Sequence, residues 1–184
     1  MVYERVRSSA PPDIRAPAST GLGRIHEARG DLLAARGLYT EAARDAAWDS
    51  PEWAEAVEAL GRANVAVIFS PQPTPESQIY SVRPGDNLTL IGNKLNTTQG
   101  LLTRANGIPE NAALAVGQQL KYTPKDFRIV IERSKCRLFL LDKDGVFKVY
   151  RAGLGMPGHE TTLGSYTIGN KQKDPVWHKP GGEP

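Results

Sequence analysis

A thiol and three imidazoles are the groups most able to act as nucleophile, base or metal ligand in this chain: Cys136, His26, His159 and His178. Acyl transfer through cysteine needs a thiolate with a base within hydrogen-bond reach. The sequence argues against that use of Cys136. It stands in Ser134-Lys135-Cys136-Arg137 with the parity of Leu138 and Leu140, which predicts a small core residue inside a strand. Lys135 and Arg137, whose charges would lower a thiol pKa, then fall on the opposite face. The histidines are scattered without metal-ligand spacing and read as ordinary surface or loop residues. A single cysteine excludes both an internal disulfide framework and a cysteine-rich metal centre. The residues thus assign no catalytic group, no metal site and no cofactor.

The most legible stretch of the chain runs from Tyr80 to Thr123. Tyr80 and Val82 alternate with Ser81 and Arg83, as in a strand. Pro84-Gly85 supplies the preset φ and the free φ of a type II turn. Asp86 is expected to cap the helix carrying Leu88, Ile91 and Leu95 on one face. Thr97 or Thr98 starts a second helix with Leu101, Leu102 and Ala105, and Asn106-Gly107 ends it in the left-handed conformation. Val116-Gly117-Gln118 turns into a strand with Leu120 and Tyr122. The order is strand, helix, helix, strand.

That order and those residues resemble the LysM family. The matches are Tyr80, Val82, Gly85, Asp86, Leu88, Ile91, Leu102, Asn106, Gly117, Gln118 and Leu120, with Asn87 where Thr or Ser is usual and Gly92 where Ala is usual. The resemblance implies binding of N-acetylglucosamine polymers, peptidoglycan in bacteria. The sugar would lie in a shallow groove between Gly85, Asp86, Asn87 and Leu88 on one side and Asn106, Gly107 and Ile108 on the other. Loop backbone groups can match an acetamido donor and acceptor, while Leu88 and Ile108 can pack on the methyl and the sugar face. The same residues also have structural uses: glycines for turns, Asp86 as a cap, Leu88 and Ile108 as a small core.

Around this stretch the chain reads as α+β and multi-domain. Residues 1–18, with Pro11, Pro12 and Pro17, are expected to form a flexible lead-in. Residues 19–69 read as helices: one through Leu22, Ile25 and Arg29, broken at Gly30-Asp31; one from Leu32 to about Trp48-Asp49; and one capped by Ser50-Pro51 that carries Trp53, Val57, Leu60, Asn64 and Val67. This α-helical hairpin segment resembles a small piece of a tetratricopeptide array, serving as a docking element or as a spacer. Residues 70–78, with alternating Pro71, Pro73 and Pro75, are expected to be a semi-rigid linker and a domain boundary. The βααβ LysM module follows over 79–124.

Residues 127–184 change to strand character. Phe127, Ile129 and Ile131 alternate, as do Leu138 and Leu140, and Asp142-Lys143-Asp144-Gly145 signals a hairpin leading into Val146–Tyr150. Gly153 and Gly155, then Thr162-Leu163-Gly164-Ser165-Tyr166-Thr167-Ile168, then Pro175 and Trp177, resemble the opening of the mostly-β L,D-transpeptidase (YkuD-like) catalytic domain. Thr161-Thr162-Leu163 replaces the usual Thr-Pro-x. The family's implied chemistry is cross-linking of peptidoglycan stem peptides through a cysteine thiolate activated by a histidine. Its His-Gly and Ser-x-Gly-Cys-x-Arg motifs are not found in this sequence. The expectation is therefore an incomplete catalytic domain, poorly stable by itself, without transpeptidase activity, encoded by a gene that continues past codon 184.

The net charge of +3, from 23 basic and 20 acidic residues, comes without a basic block, so no nucleic-acid partner is indicated. No apolar run is long enough to span a membrane, and the first residues lack the apolar core of a secretory signal. Three readings follow. The chain is the N-terminal part of a bacterial cell-envelope L,D-transpeptidase whose export signal lies elsewhere, with glycan strands and stem peptides as partners. Alternatively it is a complete non-enzymatic cell-wall-binding protein, or a cytoplasmic helical adaptor. Oligomeric state is not legible.

Overall fold

The computed structural model describes residues 9–169, 174 and 176. The described residues up to Ala152 form one compact unit and those from Gly153 onward another.

Among the described residues the first unit includes three long helices, α1 (Pro12–Ala28), α2 (Leu32–Asp45) and α3 (Pro51–Ile68). Of the flexible lead-in expected over residues 1–18, Pro12 onward is helix, and residues 1–8 lie outside the described residues. Pro12 takes the first helical turn, where its missing N–H costs nothing. Pro17 is accommodated one turn further on, while Ala16, Ala18, Ser19 and Thr20 are buried. Arg15 fastens this turn to α2 by a forked ion pair with Asp45, at 2.5 and 2.9 Å. Asp31 and Ser50 cap α2 and α3 with their side chains, accepting from the N–H groups of Ala34 and Trp53. Helix α2 stops at Asp45, short of the expected Trp48-Asp49, because Ala46 turns extended.

Small residues let these helices close on one another. Tyr39 is fully buried among Ala35, Ala59, Leu60 and Ala63, and its hydroxyl donates to Glu27 at 2.6 Å. Burial, and then the Glu27 carboxylate, hold the Tyr39 hydroxyl above its ordinary pKa. A Cβ on Gly23 would lie 2.5 Å from the Tyr39 ring. Gly23→Ala should therefore destabilise the protein by about 1–3 kcal/mol, the usual range for overpacking, read as a lowered urea midpoint. An unchanged midpoint would mean that the ring has room to move.

The LysM stretch has the expected order: β1 (Gln78–Ser81), α4 (Leu88–Lys94), α5 (Gln99–Asn106) and β2 (Gln119–Tyr122), with β1 antiparallel to β2. Tyr80, Val82, Leu88, Ile91, Leu102 and Leu120 form its core, and Ile108 packs against it. Gly92 is buried where α4 meets α5, and a Cβ there would lie 3.1 Å from the Thr97 carbonyl. That close approach explains why this chain keeps glycine where alanine is usual.

A second antiparallel sheet follows, β3 (Arg128–Glu132), β4 (Arg137–Asp142) and β5 (Gly145–Arg151), in the order β3-β4-β5. The predicted hairpin turn closes at Asp142 and Gly145. The cysteine reading fails. Cys136 ends a 3-10 turn (Arg133–Lys135) at φ 50, outside the strand, and is exposed. The β3–β4 connection needs a left-handed residue to reverse direction, so strand parity does not reach Cys136.

The helical segment also has a partner within the chain. Trp53 and Val57 of α3 form one buried cluster with Phe139 of β4, supported by Leu141, Val146 and Val149. Asn64 donates to the Phe147 carbonyl at 2.9 Å, and Gly61 leaves room for Lys148. One face of the sheet is thus covered by helix, whereas Ile129, Val130 and Ile131 of β3 stay 45–48% exposed.

The proline-rich linker is fastened at both ends. Glu76 pairs with Arg36 of α2. Burial would raise the Glu76 carboxyl, but the bonds from Arg36 and from backbone N–H hold it down at about 2. Beyond the linker, Lys121 of β2 is buried and donates to the carbonyls of Val67 and Ser70, at 3.1 and 2.7 Å, capping the C-terminal end of α3. Arg104 lies 3.6 Å over the Phe69 ring.

In the second unit the described residues form turns without helix or strand. Thr161 accepts from the Gly155 N–H, and Thr162 bonds the Tyr166 hydroxyl at 2.7 Å. Pro175, Trp177 and His178 lie outside the described residues.

Candidate functional site

The two loops singled out from sequence flank one small core, and their side chains divide into structural and free. At the first loop Arg83, Pro84, Gly85 and Asn87 are exposed, and Gly85 has φ 83 as the turn requires. Asn87, rather than Asp86, caps α4, accepting from the Leu90 N–H at 2.9 Å. Asp86 is one residue too early. It closes the turn instead, accepting from the Arg83 N–H at 2.8 Å and from the Tyr80 hydroxyl at 2.7 Å. Those two donors hold the Asp86 carboxyl below its ordinary pKa, the Tyr80 hydroxyl contributing most. Lys94 donates to the same hydroxyl at 3.1 Å, so Lys94, Tyr80 and Asp86 make one chain of polar contacts under the loop.

Leu88 is only 5% exposed and belongs to the core, so it shapes the loop from beneath. At the second loop Gly107 ends α5 at φ 63 and is exposed. Asn106 is committed to structure. Its Nδ2 donates to the Leu102 and Lys121 carbonyls, both at 2.8 Å, and its Oδ1 accepts from the Lys121 N–H at 2.7 Å. Ile108 is half-buried. Of the seven residues, Gly85, Asn87 and Gly107 are exposed, Asp86, Asn106 and Ile108 are half-buried, and Leu88 is buried.

The thiol has no such setting. Among the described residues Cys136 Sγ has one hydrogen-bond partner, the Arg133 carbonyl at 3.9 Å. No group of three or more His, Cys, Asp or Glu is gathered to hold a metal ion among the described residues. No described helix is long and apolar enough to cross a membrane.

Comparison with protein families matches residues 80–123 to the LysM domain and residues 126–184 to YkuD, the L,D-transpeptidase catalytic domain. The chain thus carries N-terminal helices, a LysM domain and L,D-transpeptidase catalytic-domain sequence, in that order, in an α+β arrangement. This pairing points to peptidoglycan and to cell-wall-associated bacterial proteins. Searches of curated proteins and of solved structures give no match.

Lys121 is the residue whose role sequence reading missed. Period-2 alternation puts it opposite Leu120, a solvent position in an isolated module. Its ammonium instead reaches the Val67 and Ser70 carbonyls at the end of α3, and the residue is buried.

Proposed function

We propose that the chain anchors to peptidoglycan glycan strands through its LysM domain, in the cell envelope, as part of an L,D-transpeptidase that acts on stem peptides. The observation that carries the reading is the pair of loops at Gly85–Asn87 and Gly107, whose exposed residues Gly85, Asn87 and Gly107 sit on turns held from below by the Asp86 and Asn106 side chains. An N-acetylglucosamine acetamido group needs one acceptor and one donor, and fixed backbone groups supply both without ordering long side chains. In this proposal Gly85, Asn87 and Gly107 meet the sugar, while Asp86, Leu88, Asn106 and Ile108 hold the loops.

Acyl transfer in this family uses a thiolate and an imidazole base. Cys136, exposed at a turn with only a carbonyl as hydrogen-bond partner, is not assigned that role.

The test is co-sedimentation with purified sacculi. The whole chain should pellet, and soluble chito-oligosaccharide should release it. A chain lacking residues 80–123 should stay in solution. Affinity should be modest, since one shallow groove has no avidity. Equal pelleting with and without residues 80–123 would overturn the assignment.

A further inference from the structure

Between α2, α3, the linker and the β4–β5 hairpin lies a cavity of about 490 Å³ that the LysM loops do not share. Its size falls within the range of small-ligand sites. Val57, Leu60 and Val146 supply apolar lining. Two of its ion pairs are satisfied internally and largely buried: Arg36 with Glu76, and Lys125 with Asp142 at 2.6 Å. Two further charges on the same lining, Arg44 and Asp144, have no side-chain hydrogen bond or ion pair among the described residues.

The remaining feature is Trp48. It lines the cavity and is 65% exposed, yet its ring is held 4.4 Å from Trp53 and 5.9 Å from Phe139. The next residue, Asp49, is at φ 66 and is clamped by Lys135 and Arg137. A large indole face is therefore fixed in place while left open to solvent, at a cavity of mixed lining that bears, among the described residues, one cation and one anion without a side-chain partner.

We propose that this cavity binds a short zwitterionic peptide. Arg44 takes the free carboxylate, Asp144 takes the free ammonium, and Trp48 packs against the aliphatic body between them. A guanidinium can hold a carboxylate by a two-pronged bond, and a carboxylate can accept from an ammonium. The indole adds area without rotamer loss, because its neighbours already fix it. The paired charges keep the rest of the lining neutral, so a singly charged ligand leaves one of the two free groups unmatched.

The experiment titrates the full chain with alanyl-alanine, its N-acetyl derivative and its C-terminal amide, following tryptophan fluorescence and heat. The free dipeptide should bind saturably. Blocking either terminus, or introducing Arg44→Gln or Asp144→Asn, should weaken binding about tenfold, the loss expected for one charge-assisted bond. Both residues are exposed, so neither substitution threatens folding. Trp48→Phe should weaken binding less than Trp48→Ala. Equal affinity for blocked and free dipeptides, indifference to both charge substitutions, or no saturable binding would each overturn the proposal. Sacculus pelleting by these variants should match the parent chain, so failure of the peptide site and failure of the LysM assignment are read separately.

Discussion

Trp53→Ala is expected to lower the unfolding free energy by about 3–5 kcal/mol, the range for truncating a large buried aromatic. Trp53 is 4% exposed, touches Trp48 and Phe139 through ring contacts, and lies 5.6 Å beneath the Arg137 guanidinium. Its removal leaves a cavity at the joint between α3 and the three-stranded sheet. The cost should be distributed unevenly. Amide exchange at Phe139 and Val149 should accelerate sharply, while Ile91 and Leu102 in the LysM core, which belong to a separate cluster, should change little. Equal acceleration in both places would mean that helices, LysM and sheet unfold as one cooperative body. Unchanged exchange in the sheet would mean that it needs no helix to persist.

This joint was not legible in sequence, for a physical reason. The LysM stretch announces itself because its core is local: Tyr80, Leu88, Ile91, Leu102 and Leu120 lie within a few turns of chain, and turn residues such as Gly85 and Gly107 have φ demands that few side chains meet. Helices α2 and α3 were equally readable from Asp31, Ser50-Pro51 and the apolar spacing after them. Trp53 and Phe139, by contrast, are far apart in the chain, and nothing in either segment names the other. A helix that looks like an unpartnered spacer and a sheet that looks like an uncovered one are each other's missing face.

Errors at the scale of one residue have a similar origin. Asp86 and Asn87 are both good caps, and composition cannot choose between them. The choice is made by the Arg83 N–H and the Tyr80 hydroxyl, which take the Asp86 carboxylate for the turn and leave Asn87 for α4. Cys136 was placed by parity, but parity holds only while the strand continues, and a 3-10 turn intervenes before β4. The start of α1 was misread because prolines mark loops by frequency. At the N-cap and first turn, where Pro11 and Pro12 stand, the same residue is harmless, and the cost of Pro17 inside the helix is offset by an alanine-rich face that has α2 to pack on.

The sharpest test of how the candidate binding loops work is Asn106. Its carboxamide acts as a short piece of strand: it gives one hydrogen bond to the Lys121 carbonyl and takes one from the Lys121 N–H, while also donating to Leu102. Asn106→Ala leaves those partly buried backbone groups unpaired, at about 1–3 kcal/mol for each one that water does not reach. The LysM melting temperature should therefore fall by several degrees. Asn106→Asp keeps the acceptor but turns a carboxylate toward two carbonyl oxygens. That raises its folded-state pKa above the unfolded one, so the variant should be least stable at neutral pH and recover as pH falls and the carboxyl becomes a donor. At a temperature well below both midpoints, each variant should pellet with sacculi as the parent chain does, because Asn106 supports the loop and backbone groups meet the sugar. Lost pelleting with an unshifted melting temperature would make Asn106 itself the sugar ligand.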